Sequence, residues 1–252
     1  YGEQVSVDID MLKLMSANIY IRKVAFKNIF ANISRPVNDS VFNYQFVMNA
    51  FSGATKTSTA ATDTAALNIT LKQLLLNNIR LKFTDKYSGN EFTTGIKNLE
   101  AKLTKFQPDR MQFALNDFTA ASIDFFMTTI KEATKKATTD TAAINLFFTA
   151  DKLDIRNVNV WYQNKVNQMY YGNTIQHFAI SKIDLNLAGE KALIGNILLD
   201  SSSVQFNASK NTVKAAADSL ATASNWNIGI TRLQLNNDAV IYNDNNISPK
   251  SG

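Results

Sequence analysis

Cysteine is absent from this chain, which excludes disulfides, thiolate-bound zinc and cysteine nucleophiles. Histidine occurs once, as His177 beside Phe178 in an alternating stretch. One imidazole cannot build a histidine-rich metal site, so His177 reads as structural or exposed, and neither a metal nor a cofactor is expected. With 3 prolines and 9 glycines the chain is no collagen-like or tightly turned scaffold. No apolar run is long enough for a helix that crosses a bilayer. No signal peptide is visible at Tyr1. Alternation is already under way in VSVDID at Val5, and the chain stops just after the opening strand of a further repeat. Both features read as a piece cut from something longer. The 26 Lys and Arg against 21 Asp and Glu leave a net charge of +5. The lysines are scattered, so no clustered face for nucleic acid is expected, and at most a weak attraction to anionic headgroups.

What is present is a repeat. Leu74–Asp85 reads LLLNNIRLKFTD, Leu153–Asn164 reads LDIRNVNVWYQN, and Leu233–Asp244 reads LQLNNDAVIYND. The spacing from each copy to the next is nearly constant. In each copy an aliphatic residue (Leu76, Ile155, Leu235) is followed by two polar ones. Alternating apolar positions come next: Ile79, Leu81 and Phe83; Val158, Val160 and Tyr162; Val240 and Tyr242. Ile96, Leu99 and Ala101 match Ile175, Phe178 and Ile180 at the same offset, and Ile123 and Phe125 match Val204 and Phe206 two places further on. A unit of roughly 80 residues with a two-residue insertion follows from this pattern. The step of three from Leu76 to Ile79 breaks strict alternation, and a bulge or tight turn at Asn77-Asn78 restores one face.

Taken in order, residues 1–66 carry two or three short strands and one helix. The helix is expected beyond Pro36, capped by Asp39, Ser40 or Asn43, with Phe42, Phe46, Val47, Ala50 and Phe51 at helical spacing and Gly53 at its end. It reads as a plug over the sheet. Repeat unit 1 spans 67–142, unit 2 spans 143–224, and 225–252 opens a third, all within one continuous structural domain. The stretches 54–66, 128–142 and 208–224 are rich in Ala, Thr and Lys and read as loops between units. Between them the strands read as an antiparallel meander with one apolar face. That face must be covered, and a barrel, a sandwich and a folded trough all remain open.

Catalytic constellations are missing. No phosphate loop, GxSxG elbow or HExxH occurs, and no enzyme is expected. Asp85, Asn164 and Asp244 hold one repeat position at strand ends, which is turn chemistry. Trp161 and Trp226 fall at repeat strands and read as core or rim. Girdles of aromatics, the mark of a transmembrane β-barrel, are lacking.

LLLNNIRLKFTD and IKNLEAKL from Ile96 resemble the repeated modules of the AsmA/TamB-like superfamily of diderm bacteria, and the block IFANISRPVNDSVFNYQFVMNAF from Ile29 resembles the N-terminal part that precedes its first module. LDIRNVNVWYQN departs by ending in Asn164. The resemblance implies a mainly β fold: an antiparallel, strongly curved repeat sheet, an open trough or half-barrel, with one or two short helices. It implies a non-enzymatic periplasmic module in outer-membrane biogenesis, anchored in the inner membrane through a segment outside this chain. Its partners would be phospholipid or other acyl chains, and outer-membrane assembly proteins. Candidate groove-lining residues are Ile79, Leu81, Phe83, Leu99, Leu103, Val158, Val160, Tyr162, Phe178 and Ile180. The alternative is a secreted β-sandwich adhesin or glycan-binding module using Trp161, Tyr162, Tyr170 and Tyr171.

Overall fold

The computed structural model describes residues 1–14, 18–38, 41–45, 68–107, 110–131, 145–208 and 226–244. Almost all of them are strand. In chain order these are β1 (Gly2–Ile9), a one-turn helix α1 (Met11–Leu14), β2 (Asn18–Arg35), β3 (Asn68–Leu71), β4 (Gln73–Asp85), β5 (Asn90–Gln107), β6 (Gln112–Thr129), β7 (Phe147–Asn164), β8 (Met169–Asn186), β9 (Lys191–Ala208), β10 (Asn227–Asn236) and β11 (Ala239–Asp244). All the strands belong to one mixed sheet in the order β1-β2-β4-β5-β6-β7-β8-β9-β10, with β3 beside β2 and β11 beside β9. β3 continues into β4 after Lys72, and β10 into β11 after Asn237 and Asp238. The sheet does not close into a barrel. Of the expected helix, residues 46–53 lie outside the described residues, as do the larger parts of the three inter-unit stretches.

Antiparallel pairing holds inside each repeat, where β4, β5 and β6, and likewise β7, β8 and β9, form three-strand meanders. At each junction it fails: β2 and β4, β6 and β7, and β9 and β10 pair in parallel. The sheet is therefore mixed, and the expectation of a purely antiparallel meander is corrected. The cause is arithmetic. An odd number of strands ends a unit at the opposite side of the sheet from where it began. The next unit must then start by crossing back, and a parallel neighbour results.

The repeat is also more regular than its apolar residues imply. β8 begins and ends as far beyond β5 as β9 does beyond β6, so no two-residue insertion separates the units. Ser202 holds the place of Ile123, which makes the apolar match slide to Val204.

Six of the strands run to 18 residues each. That is long for any domain, and longer than the two or three short strands read in residues 1–66. The long strands run on because two lines of kinks cross the whole sheet. Along the first, Asn28, Asn78, Ser122, Asn157, Ser201 and Asn237 all take left-handed φ between 52 and 55°. Asn28 lies beside Asn78 and Ser122 beside Asn157, each pair left out of the ladder. Asparagine suits the place because it tolerates the left-handed region. Asn78 also donates from Nδ2 to Asn28 Oδ1 at 2.6 Å. This is the irregularity read from the step at Asn77-Asn78. The second line lies earlier in the same strands, through Lys72, Asn116, Asp151, Gly195 and Thr231. Lys182, with φ 56°, faces it on β8. At Gly195 an added Cβ would fall 2.7 Å from the Ser181 carbonyl oxygen, so only glycine fits.

Each kink adds one residue, so apolar positions step by three across it (Leu76 to Ile79, Ile155 to Val158) and stay on one face. Such irregularities bend a strand, and aligned ones curve the sheet along two creases. Replacing Asn157 by Val should therefore cost about 1–2 kcal/mol in urea unfolding, the penalty for left-handed backbone, while Asn157→Gly should stay close to wild type. Equal losses for both would contradict the kink account.

Candidate functional site: an uncovered apolar face

The ladder registers define one face row by row. Ile29, Ile79, Ile96, Ile123, Val158 and Ile175 stand side by side across six strands. So do Phe26, Leu76, Leu99, Ala120, Ile155, Phe178 and Leu199 beyond the first crease. A third row is largely aromatic: Ile33, Phe83, Phe92, Met127, Tyr162, Tyr171 and Phe206. Ring stacking runs along this side, with Phe83 and Phe92 centroids 4.8 Å apart and Phe92 and Phe125 5.7 Å. Phe42 covers one corner, 5.6 Å from Phe83. All ten groove candidates read from the sequence fall on this face.

Among the described residues, apart from Phe42 at one corner, the face is shielded by its own neighbours. The buried apolar side chains, Leu71, Ala101, Leu103, Ala120, Ala150 and Val158, all belong to it, yet no described residue is completely buried. Its other apolar residues are mostly half-buried. Among the described residues no second sheet or long helix lies over it. Most domains stack two layers to hide such a surface. Here one layer bends instead. Polar breaks are few: Thr94, and a group of Asn173, Ser202 and Asp238 toward β11, where the Ser202 backbone N–H donates to Asp238 Oδ1 at 2.8 Å.

A polar rim closes the strand ends. Asp85 is buried and accepts from Arg35 Nε at 2.8 Å, from Arg35 Nη2, from the backbone N–H groups of Tyr87 (3.1 Å) and Ser88 (3.2 Å), and from the Ser88 hydroxyl. The Arg35 hydrogen bond chiefly, with Ser88, outweighs burial and holds the Asp85 carboxyl far below the usual carboxylate range. Asn164 does the same turn work one repeat later, accepting from Val166 N at 3.0 Å and Asn167 N at 3.3 Å. Thr129 Oγ1 donates to Asn90 Oδ1 at 2.9 Å between them. The Arg35–Asp85 pair is not legible in the sequence, where only the turn role of Asp85 shows.

The opposite face is polar and holds the remaining singled-out groups. His177 Nε2 lies 3.3 Å from Asp154 Oδ1, which accepts from Arg156 Nε at 3.0 Å. Burial pushes the Asp154 carboxyl up, but Arg156 and His177 together bring it below its ordinary value. The aromatic quartet of the glycan reading is split. Trp161 and Tyr170 pack on this face with ring centroids 6.2 Å apart, next to Phe126, while Tyr162 and Tyr171 sit on the apolar one. Trp161 has a packing role there: it lies over its cross-strand partner Gly172, where a Cβ would come within 3.1 Å of its ring. Among the described residues no cluster of metal-ligating side chains occurs.

Fold and face together define a class: open, mixed repeat sheets with an apolar side that the described residues leave uncovered. No protein-family model matches the chain, and it matches no curated protein and no solved structure.

The folded Asp85 carboxyl titrates below its unfolded value of about 4. Its stabilisation is therefore complete above that pH and is lost as pH falls through the folded value. Asp85→Asn should lower Tm near neutrality, and the gap to wild type should narrow below about pH 4. Thermal melts followed by circular dichroism check this; a gap independent of pH would contradict it.

Proposed function

We propose that this chain is a non-enzymatic lipid-shielding module of the AsmA/TamB type, holding acyl chains against its apolar face in the periplasm during outer-membrane biogenesis. The observation that carries the reading is the apolar face itself, continuous across the strands and left uncovered by the described residues. A sequence that only needed a stable core would place a second layer over these rows. At about 4.8 Å per strand, the nine-strand path extends roughly 40 Å along the hydrogen-bonding direction, enough for an extended acyl chain. Each methylene laid on the face gains about 0.8 kcal/mol relative to water. Headgroups stay outside, since burying them unpaired is costly, and the polar rim at Arg35, Asp85, Asn90, Thr129 and Asn164 offers them partners. The resemblance of LLLNNIRLKFTD and IKNLEAKL to the superfamily's modules supports the same assignment, including an inner-membrane anchor elsewhere in the parent protein and contact with assembly proteins of the outer membrane.

Leu81 and Val160 occupy one row, linked through Thr94 and Phe125. Protein purified from a bacterial host should carry phospholipid detectable by mass spectrometry. The Leu81→Asp/Val160→Asp variant should lose most of it while keeping its β circular-dichroism spectrum. Lipid-free wild type that instead binds on a glycan array would overturn the proposal in favour of the adhesin reading.

A further inference from the structure

At one end of the strands the turns share a composition. The β4–β5 turn opens with Lys86-Tyr87, the β7–β8 turn opens with Lys165-Val166, and β6 runs out into Ile130-Lys131. Tyr87, Ile130 and Val166 are 52, 47 and 40% exposed, and the lysine beside each of them is exposed as well. Backbone hydrogen bonds tie these places into one rim. Lys86 N–H donates to the Arg35 carbonyl at 3.0 Å, Ile130 N–H to that of Gly89 at 2.8 Å and Lys165 N–H to that of Thr129 at 2.9 Å. From β4 to β7 the rim crosses β5 and β6, a span of about 15 Å.

The rim's charge is uncompensated. Asp85 lies at this end but is buried and taken up by Arg35. Lys131 Nζ donates to the Tyr87 carbonyl at 3.3 Å, and among the described residues no carboxylate pairs with Lys86, Lys131 or Lys165. The hairpin turns at the opposite strand ends differ. Residues 108–111 and 187–190 contain Asp109, Arg110 and Glu190, so those turns bring no positive excess.

We propose that this rim docks on the surface of an anionic phospholipid bilayer. The lysine ammonium groups meet the lipid phosphates, where the negative surface potential attracts them. The Tyr87 ring suits the headgroup level, and Ile130 and Val166 enter the boundary between headgroups and acyl chains. The pairing of each cation with an apolar neighbour is what selects a membrane. A nucleic acid would engage the lysines but leave Ile130 and Val166 in water. Docked this way, the strands stand on the bilayer and the apolar face opens beside the headgroups. The docking does not rest on the lipid-shielding reading, since it needs no acyl chain on the sheet.

The whole chain should sediment with vesicles of phosphatidylcholine mixed with phosphatidylglycerol, much less with pure phosphatidylcholine, and be released by salt. Lys86→Glu/Lys131→Glu/Lys165→Glu should weaken the binding about tenfold or more. Lys105→Glu/Lys152→Glu/Lys182→Glu changes the net charge equally away from the rim and should leave most of the binding intact. Orientation is read without touching the lysines. An environment-sensitive dye on Val166→Cys should blue-shift when the mixed vesicles are added, and the same dye on Ala188→Cys, in the opposite turn, should not. Absence of binding, equal binding to both vesicle types, equal losses in the two triple variants, or equal dye responses would each overturn the proposal. Docking by a chain that carries no co-purified lipid would leave it standing while the lipid-shielding reading fell.

Discussion

Where the described residues supply no second layer, a sheet has to protect its apolar side chains with their own neighbours. Everything distinctive here follows from that constraint. Rows of β-branched, leucine and phenylalanine side chains line up across the strands, and cross-strand pairs of this kind are what stabilise a sheet face. The arrangement is additive along the sheet: each unit leans on the next, and interior strands are better covered than edge strands. The half-exposed leucines of β10 beside the buried Leu71 and Leu103 show the gradient directly. Outer positions carry the polar and charged partners, and the two faces divide the chain's chemistry between them.

Bending reconciles long strands with a single layer. The left-handed Asn and Ser positions recur at the same place in first and third strands, so their kinks align into a crease rather than scattering. Without the extra residue at each crease, the alternation would carry half of every strand's apolar set to the wrong side. Creases also ease the chain's return journeys. The connection from Thr129 to Phe147 must bridge opposite ends of a long strand, about 60 Å along its contour. Any bend that draws those ends together shortens the span.

Much of this is written plainly in the residues. Alternation around Leu74–Asp85, its return as Leu153–Asn164, and the odd step at Asn77-Asn78 lead to a one-sided, repeated β-structure with an irregularity at that place. The strand bounds are harder, because a step of three looks like a strand end when no partner strand is in view; Phe118 and Ile123 belong to one strand but read as two. The parallel junctions depend on which strands become neighbours, a long-range property that local periodicity does not record. Ser202 on the apolar face misleads the alignment of third strands, since a polar residue holds a position that Ile123 fills one repeat earlier. Arg35 and Asp85 are too far apart in sequence for their pairing to be visible before the strands are laid side by side.

The lipid reading turns on which face meets the acyl chain. Val160 and Asn159 are adjacent in β7 but belong to opposite faces, so a single cysteine at either, labelled with an environment-sensitive dye, isolates one side of the sheet. Phospholipid carrying a nitroxide on its acyl chain should quench and blue-shift the dye at Val160→Cys and leave that at Asn159→Cys unchanged. Equal responses at the two positions, or none at Val160→Cys, would contradict the account.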